Sequence, residues 1–341
     1  MLRETLRKAA DGEVLTEGEA ERALETIMEG NAPPAATAAL LTALRVKGES
    51  VPEIVGFARA MRRFAAKVEA PEGVVDTCGT GGDAKGTINV STAAAFVARG
   101  AGVVVAKHGN RAATSRAGSA DVLEALGAEI DLGPEEVSRC IAEAGIGFMF
   151  ARTHHPAMRF VAPVRAELPF RTIFNLLGPL TNPAGARRQL VGVFGRAYVR
   201  PVAEALRDLG AEKALVVHGT DGMDEITVTD KSLIADVSDG ELQEYEISPE
   251  DYGFSRHAPD GLLGGDAHLN ARILRDILTG EENGASREIV LLNAGAAIHV
   301  SGNAKTIEEG VRLARDSISE GAAARALEDF IKTTRRLSGT V

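Results

Sequence analysis

The sequence predicts an α/β fold in which a small N-terminal all-helical domain precedes a larger α/β domain with a central, mostly parallel sheet flanked by helices. Two observations lead to this prediction. Only helical patterns occur up to residue 70, whereas from residue 74 short apolar runs alternate with helical segments. Strands that alternate with helices in this way form parallel sheets covered by helices. Between the two parts, Ala70-Pro71-Glu72-Gly73 is a short, stiff and polar link.

The first 70 residues carry clear signals for the start and end of helices. Thr16 and Glu19 have the spacing of a capping box ahead of a helix at 20–28, and Ser50 and Glu53 repeat that spacing before a third helix. Helix breakers delimit these elements at Gly30-Asn31, Pro33-Pro34 and Gly48. This part of the chain is therefore predicted to be a small helical unit.

Beyond the link, the elements are predicted from apolar runs and from the positions of glycine and proline. Strands are expected at 74–78, 103–106, near 128–132, 146–150, 189–194 and 213–218, with an antiparallel patch at 226–247. Helices are expected at 91–99, 119–126, 134–144, within 155–180, and over roughly the last 75 residues. We expect the 155–180 segment to pack back on the N-terminal helices. The helical domain is therefore assigned to 1–70, completed by helices from about 155–187, and the α/β domain to 74–150 and 188–341.

Composition and charge exclude several classes of protein. The 341-residue chain has 48 acidic against 38 basic residues, which leaves no overall electrostatic attraction for nucleic acid. Aromatic residues make up only 4%, so surfaces that stack bases are not expected. Even the apolar stretch 93–106 is interrupted by Arg99, and we expect no association with a membrane. The two cysteines, Cys78 and Cys140, fit a reducing compartment, so a cytoplasmic protein is expected.

A glycine-rich loop follows the first predicted strand. Gly79, Gly81 and Gly82 leave the backbone without Cβ atoms, so its N–H groups can approach a ligand closely. The helix that starts near Ser91 directs its N-terminus at the same space, which favours an anion. This combination predicts a phosphate-binding loop.

The same loop also fits a dinucleotide-binding fingerprint, because Gly79, Gly81 and Ala84 match G-x-G-x-x-G/A after a strand. Two observations oppose that interpretation. Residues 85–89 separate the glycines from the helix, and the second strand is followed by Lys107 where an acidic residue would bind the ribose. A tight turn that binds nothing is the remaining alternative.

Two further polar loops follow predicted strands, and the carboxyl ends of parallel strands meet at one edge of a sheet. The basic, hydroxyl-bearing run 107–115 follows strand 103–106, and the turn 219–225 follows strand 213–218. We expect one crevice to hold phosphate through backbone amides, Lys107, Arg111 and hydroxyls. The side chains with hard oxygen atoms beside this phosphate site are Asp83, Ser91, Asp224 and Glu225. Hard oxygen ligands next to a phosphate indicate magnesium. Each loop alone is typical of a solvated turn, so the prediction depends on their place at successive strand ends.

Six strings of the sequence, taken in order, are shared with one known family. They are Gly79-Thr80-Gly81-Gly82-Asp83, Asn89-Val90-Ser91-Thr92, Lys107-His108-Gly109-Asn110-Arg111, the run from Gly118 to Gly127, the run from Arg171 to Pro183, and Asp224-Glu225. Over nearly its whole length the chain resembles the anthranilate phosphoribosyltransferase family, within the nucleoside phosphorylase-like phosphoribosyltransferases. The resemblance implies a homodimer, two domains joined by hinges, the substrates phosphoribosyl pyrophosphate and anthranilate, and Mg²⁺ as two ions.

The resemblance also carries functional roles onto matching positions of this chain. Contacts with phosphoribosyl pyrophosphate are implied for Gly79, Gly82, Asp83, Thr87, Asn89, Val90, Ser91, Thr92, Lys107, His108, Gly109, Asn110, Arg111, Ala112, Ala113, Thr114, Ser115 and Ser119. Contacts with anthranilate are implied for Gly79, Asn110 and Arg165, in a pocket lined by His108, His155 and Met158. Magnesium ligands are implied at Ser91, Asp224 and Glu225, and catalytic roles at Asp83, Lys107, Asp224 and Glu225.

The expected activity is transfer of the phosphoribosyl group to the amine of anthranilate, in tryptophan biosynthesis. Two alternatives are open at this point. A pyrimidine nucleoside phosphorylase shares the architecture but needs no metal-binding carboxylate pair, so Asp224 and Glu225 count against it. A non-catalytic relative that only binds a nucleotide sugar is disfavoured because the phosphate, metal and carboxylate residues are all present.

Overall fold

The structure is a computed structural model that describes residues 2–112 and 116–339. Both predicted capping boxes are formed, since Thr16 N–H donates to Glu19 Oε2 at 3.0 Å and Ser50 N–H donates to Glu53 Oε2 at 2.9 Å. The helices of the described residues are α1 Leu2–Ala10, α2 Glu17–Met28, α3 Pro34–Lys47, α4 Val51–Phe64, α5 Val90–Gly100, α6 Ser119–Leu126, α7 Pro134–Ala144, α8 Ala151–His154, α9 Ala162–Glu167, α10 Phe174–Leu177, α11 Val199–Asp208, α12 Ala267–Thr279, α13 Ala285–Ser301, α14 Ile307–Ser319 and α15 Ala322–Ser338.

The strands of the described residues form one seven-stranded sheet with the order β3-β2-β1-β4-β5-β6-β7. They are β1 Val75–Gly79, β2 Val105–Gly109, β3 Ile146–Phe150, β4 Arg188–Gly192, β5 Lys213–Gly219, β6 Ser232–Ser238 and β7 Glu241–Ile247. Strands β1 to β5 are parallel, whereas β6 and β7 pair antiparallel. The predicted fold class, a helical part plus a mostly parallel sheet flanked by helices, is therefore confirmed.

The strand predicted near 128–132 is wrong. Ala128, Ile130 and Leu132 do alternate with more exposed residues and are buried, but the segment forms no strand and lies between α6 and α7. The N–H of Glu129 donates to Thr334 Oγ1 of α15 at 3.2 Å instead of to a neighbouring strand. Burial of every second side chain produces the period of a strand whether or not a partner strand is available.

Helices cover both faces of the sheet. Strand β5 shows the division, since Leu215 and Val217 pack in a core with α5, α13 and α15, whereas Ala214 and Val216 pack in a core with α11. The second core also contains residues of α2, α3, α4 and α10. The helical part of the chain is therefore packed against one face of the sheet.

The segment 151–180 lies in this second core, beside the N-terminal helices. The rings of Phe57 in α4 and Phe174 in α10 meet edge to face with centroids 6.2 Å apart. The buried guanidinium of Arg62 donates from Nε to the carbonyl oxygen of Leu180 at 2.7 Å. These contacts hold the segment between the helical part and the sheet.

Neither of the two cysteines is part of a disulfide, and both thiols are buried. Burial raises the pKa of Cys140 to about 12 and raises the pKa of Cys78 well above its ordinary value, so neither thiol ionises near pH 7. Among the helices of the described residues, none combines the length and the apolar character needed to cross a membrane.

Candidate active site

The strand order reverses at β1, because β2 and β3 lie on one side of it and β4 to β7 lie on the other. Ligands of open α/β sheets bind at the carboxyl ends of strands at such a point. Here the last residues of β1 and β4, Gly79 and Gly192, are paired. A Cβ atom at Gly192 would lie 1.5 Å from the carbonyl oxygen of Asp224, and one at Gly79 would lie 2.6 Å from Asp224 Oδ2. The missing side chains let the turn that follows β5 lie across both strand ends.

Asp224 and Glu225 reach two different parts of the predicted phosphate site. Asp224 Oδ2 accepts the N–H of Gly81 in the glycine-rich loop at 2.7 Å. Glu225 Oε1 accepts the N–H of Ser91 in the first turn of α5 at 3.2 Å. We call the loop 79–91 together with these two carboxylates the carboxylate crevice. The two contacts join residues that are 143 and 134 positions apart in the chain, so the crevice exists only in the folded protein.

The turn that carries the two carboxylates is fixed from both sides. Within the turn, Asp221 accepts the Thr227 hydroxyl at 2.7 Å and the Met223 N–H at 3.1 Å. From α13, the fully buried Asn293 accepts the Ile226 N–H at 3.0 Å and donates to the Ile226 carbonyl at 2.8 Å. The carboxylates are thereby preorganised. Sequence reasoning missed Asp221 and Asn293, because a single Asn in an apolar helix gives no indication of its partner.

Asp224 and Glu225 are half-buried, and the loss of solvent around their carboxyl groups makes both difficult to ionise. It raises the pKa of Asp224 to about 7, with a further contribution from the nearby Asp83 carboxylate. It also raises the pKa of Glu225 well above its ordinary value, and Asp224 adds to that effect. A cation bound between them would remove this cost, and hard oxygen donors beside an anion-binding loop suit Mg²⁺. The described residues contain no group of three or more His, Cys, Asp or Glu side chains arranged for a metal.

Lys107 lies behind the crevice and not at its mouth. Its side chain is almost fully buried, and Nζ donates to the Thr77 carbonyl and to Ser91 Oγ, the latter at 3.3 Å. Burial lowers the pKa of Lys107, whereas the neighbouring Asp76 opposes that shift. Lys107 therefore orients the Ser91 hydroxyl and supplies positive charge near the Glu225 carboxylate. A direct contact of its amine with phosphate stays a prediction.

Asp76 in β1 is a fully buried carboxylate that sequence reasoning missed. Its Oδ1 accepts the His108 N–H at 3.0 Å, and its Oδ2 accepts from Asn182 Nδ2 at 2.7 Å. Asn182 also donates to the Ala106 carbonyl at 2.8 Å. Asp76 thereby ties the end of β2 to the segment that precedes β4. An acidic residue inside an apolar strand was the available signal for this role.

The second predicted phosphate loop, which follows β2, is held by acidic residues of α6. Arg111 forms ion pairs with Asp121, at 2.9 Å, and with Glu124. Asp121 also accepts the Ala112 N–H at 3.0 Å, and Ser119 Oγ donates to the Asn110 carbonyl at 3.2 Å. The charge of Arg111 is thus already compensated by carboxylates. The remaining predicted contacts of this loop, at Ala113, Thr114 and Ser115, lie outside the described residues.

The outer part of the glycine-rich loop is contacted from the helical part of the chain. Arg171 donates to the Gly82 carbonyl, and its guanidinium stacks on the Phe194 ring at 4.1 Å. Asp83 accepts the Lys85 N–H at 3.2 Å. Among the other predicted contacts, Val90 and Thr92 are buried in the first turn of α5, and Thr92 Oγ1 has no hydrogen-bond partner in the described part of the chain.

We call His108, His155 and Arg165 the histidine pocket, because the family resemblance predicts that these residues contact anthranilate or line its pocket. The two imidazole rings lie 5.0 Å apart between centroids. Burial lowers the pKa of His108 to about 3 and that of His155 to about 4, so both are neutral at pH 7. His108 Nδ1 lies 3.1 Å from the Gly178 carbonyl, which assigns the proton to Nδ1 and leaves a lone pair on the buried Nε2.

Arg165 is the cationic member of the histidine pocket. Its guanidinium lies over the Phe174 ring at 5.2 Å, and Phe174 is one helical turn from Gly178, which contacts His108. Burial lowers the pKa of Arg165, and no carboxylate of the described residues pairs with it. A half-buried guanidinium without an anionic partner fits recognition of a ligand carboxylate. Met158, which is also predicted to line the anthranilate pocket, packs at the edge of the second core described above.

Comparisons with known proteins identify the family. The α/β domain model of the glycosyl transferase family matches residues 71–324, and its helical bundle domain model matches residues 3–65. An anthranilate phosphoribosyltransferase of Rubrobacter xylanophilus is 81% identical over 339 residues, which cover 99% of both chains.

Solved structures agree with that match. The crystal structure of anthranilate phosphoribosyltransferase from Thermus thermophilus has a TM-score of 0.92 and 48% identity, covering 97% of this chain and 99% of its own. The enzyme from Saccharomyces cerevisiae in complex with phosphoribosyl pyrophosphate and Mg has a TM-score of 0.90 and 27% identity, covering 98% of both chains. The chain therefore belongs to the anthranilate phosphoribosyltransferases of the glycosyl transferase family.

Proposed function

We propose that this protein transfers the 5-phosphoribosyl group of phosphoribosyl pyrophosphate to the amine of anthranilate, giving N-(5-phosphoribosyl)anthranilate and pyrophosphate in tryptophan biosynthesis. The observation that carries the proposal is the junction at which Asp224 accepts the Gly81 N–H and Glu225 accepts the Ser91 N–H. It joins an anion-binding loop and a helix N-terminus to half-buried carboxylates. That combination suits a sugar diphosphate bound together with a divalent cation.

The cation is proposed to be Mg²⁺, held by Ser91, Asp224 and Glu225 and completed by oxygens of the diphosphate. The oxygen donor set of the crevice and the complex of the yeast relative with phosphoribosyl pyrophosphate and Mg support this assignment. The two carboxylates face different segments, the glycine-rich loop and α5, which favours two ions over one. When bound, Mg²⁺ neutralises negative charge on the diphosphate.

The reaction proceeds by substitution at C1 of the ribose. The amine nitrogen attacks C1 opposite the pyrophosphate group, the C1–O bond to pyrophosphate breaks, and the C1–N bond forms with inversion of configuration. Bond breaking leads, so negative charge grows on the departing diphosphate. The loop amides and the positive end of the α5 dipole stabilise that charge, while Lys107 fixes the Ser91 hydroxyl. Asp83 lies beside Asp224 at the same edge of the crevice.

The acceptor is proposed to occupy the histidine pocket. The Arg165 guanidinium binds the benzoate carboxylate, and Gly79 and Asn110 contact the amine side of the ring. Neutral imidazoles offer flat apolar surface without repelling the arginine. The proton leaves the nitrogen after the C–N bond has formed and passes to the substrate's own carboxylate or to water, so no strong base on the protein is required.

Several broader features are part of the proposal. Residues 1–70 with 155–187 form one domain, and 74–150 with 188–341 form the phosphoribosyl pyrophosphate-binding domain. Closure about the link 70–73 would exclude water from the sugar cation. We further propose that the chain acts as a homodimer in the cytoplasm, and its two free buried thiols support that compartment.

One assay tests the reaction. The purified protein is incubated with phosphoribosyl pyrophosphate, Mg²⁺ and anthranilate, and the loss of anthranilate fluorescence is followed. We expect fluorescence to disappear, and to persist when Mg²⁺ is chelated. Persistent fluorescence in the complete mixture, with thymidine cleaved by phosphate in a parallel reaction, would contradict the proposal in favour of a pyrimidine nucleoside phosphorylase. Persistent fluorescence with no cleavage would favour a non-catalytic binding protein.

A further inference from the structure

Asn270 in α12 is a buried amide whose side chain contacts the crevice loop. Its side chain is 3% exposed. Its Oδ1 accepts the N–H of Gly265 at 2.7 Å, and its Nδ2 donates to Asn89 Oδ1 at 2.9 Å. Both ends of the amide are therefore used, which fixes its orientation.

Asn89 continues this chain of amide contacts. It lies immediately before α5, and its Nδ2 donates to the Ala117 carbonyl at 3.2 Å. Because Asn270 donates to its oxygen, Asn89 must present its NH₂ group to Ala117 and not the reverse. The orientation of Asn89 is thus set from α12, and it links the residues before α5 to those before α6.

A short segment, residues 262–265, which we call the strap, lies along the same part of the loop. Ile88 N–H donates to the Leu262 carbonyl at 3.0 Å, and Gly264 N–H donates to the Gly86 carbonyl at 2.9 Å. Thr87 and Leu263 pair as an antiparallel bridge. A Cβ atom at Gly264 would lie 2.6 Å from Asn270 Oδ1 and 2.8 Å from the Thr87 carbonyl, so this contact requires glycine.

We propose that Asn270 is a positioning residue for the phosphoribosyl pyrophosphate site. It acts through Asn89 and the strap, which together hold residues 86–89 in place so that the first turn of α5 faces the diphosphate before the ligand arrives. The proposal rests on the function assigned above. It predicts an effect on binding of the diphosphate substrate and none on recognition of anthranilate, because Asn270 contacts no residue of the histidine pocket.

The test uses Asn270→Ala and Asn270→Asp in the full-length chain. Alanine removes both contacts without adding charge, and aspartate keeps the acceptor for Gly265 but places an oxygen against Asn89 Oδ1. Loss of one buried hydrogen bond corresponds to about a tenfold change in an equilibrium constant. We expect the Kd for phosphoribosyl pyrophosphate with Mg²⁺, measured by calorimetry, to rise about tenfold in both variants. The KM for anthranilate should stay at the wild-type value.

A matched control separates positioning from loss of helix stability. Asp266 caps the same helix by accepting the Leu269 N–H at 2.9 Å, so Asp266→Ala weakens α12 without touching Asn89. We expect it to lower the melting temperature while the Kd for phosphoribosyl pyrophosphate stays unchanged. Gly264→Ala tests the strap independently, with the same rise in Kd as Asn270→Ala, and serves if the Asn270 variants do not fold.

The possible results are distinct. An unchanged Kd in the Asn270 variants, or in Gly264→Ala where those do not fold, would overturn the inference, as would an equal rise in Asp266→Ala. A rise confined to Asn270→Asp would assign the effect to the added charge and would also overturn it. Failure of the proposed function is recognised separately, since the wild-type protein would then fail to convert anthranilate or to bind phosphoribosyl pyrophosphate.

Discussion

The carboxylate crevice and the histidine pocket are neighbours that are built in opposite ways. The crevice consists of backbone N–H groups and of carboxylates whose pKa values burial raises. The pocket consists of neutral rings and one guanidinium that has no carboxylate partner in the described residues. One region thus holds two carboxyl groups that a bound cation would help to ionise, and the other holds a single positive charge with no carboxylate partner in the described residues.

This difference separates the two contributions to catalysis. Groups fixed in advance around a departing diphosphate act where charge develops in the transition state, so they should affect kcat. A guanidinium that binds the anthranilate carboxylate, where no charge develops as the C1–O bond breaks, acts about equally before and during the reaction, so it should affect KM. The comparison between the two regions can therefore be tested with single substitutions.

The largest effect is expected from Glu225→Gln in the crevice. It removes the negative charge that Glu225 would carry with Mg²⁺ bound but keeps the shape of the side chain. We expect kcat to fall about 100- to 1,000-fold and the Mg²⁺ concentration needed for half-maximal rate to rise. Steady-state kinetics over a magnesium titration measure both quantities.

The control for this prediction is Asp230→Asn, which removes a charge from the exposed end of the same loop, where Asp230 pairs with Arg256. It should leave the magnesium dependence at the wild-type value. Normal magnesium dependence in Glu225→Gln would remove Glu225 from the metal site and would erase the contrast between the crevice and the pocket.

A smaller effect is expected from Arg165→Ala in the pocket. Loss of a charged hydrogen bond to the carboxylate should raise the KM for anthranilate about 10- to 100-fold and leave kcat within about threefold. Arg159→Ala is the matched control, because Arg159 stacks on Phe160 nearby and belongs to neither region. A fall in kcat with unchanged KM would show that Arg165 acts on the transition state, so the separation drawn above would be wrong.

The smallest effect is expected from the pocket histidines, and it concerns stability. Their pKa values, lowered in the folded state by burial, lie below the ordinary 6.5, so the unfolded chain binds protons that the folded chain excludes. The stabilisation is present above pH 6.5 and is lost as the pH falls towards the folded-state values. Each histidine should cost about 1 kcal/mol of unfolding free energy between pH 6.5 and pH 5.5.

Urea unfolding of the wild-type protein and of His108→Asn at several pH values measures this dependence. The variant should lose part of the slope between pH 6.5 and 5.5. His268→Gln, at an exposed position of α12, should retain the wild-type slope. An identical slope in His108→Asn would mean that His108 is protonated in the folded protein, contrary to the neutral pocket described above.

The sequence predicted those parts of the site that follow from local pattern and from the geometry of parallel sheets. The glycine-rich loop, the start of α5 and the Asp224-Glu225 turn were expected to meet because each follows a strand. The strand near 128–132 was wrong because its alternating burial needs no partner strand. The direction of Lys107 was not predictable, since the same lysine can extend to solvent or turn towards Ser91 depending on the charges packed around it.

The residues that hold the site in place could not be predicted from local sequence pattern, for a different reason. Asp76, Asn182 and Asn293 act through partners that are distant along the chain, with separations of 106 residues between Asp76 and Asn182 and of 67 between Asn293 and Ile226. A single sequence does not show which distant residue will be the hydrogen-bond partner of a given polar side chain. Burial of a polar side chain is the physical sign of such a role, and it becomes visible only in the folded structure.

The glycine at the end of β4 affects how relatives of this chain should be classified. The carbonyl of Asp224 occupies the space where a side chain at position 192 would stand. A relative that retains both acidic residues but has a larger residue at position 192 cannot hold the two carboxylates where they lie here. Retention of the two carboxylates is therefore an incomplete criterion for inheriting the activity, and the absence of a Cβ atom at position 192 belongs in the definition of the site.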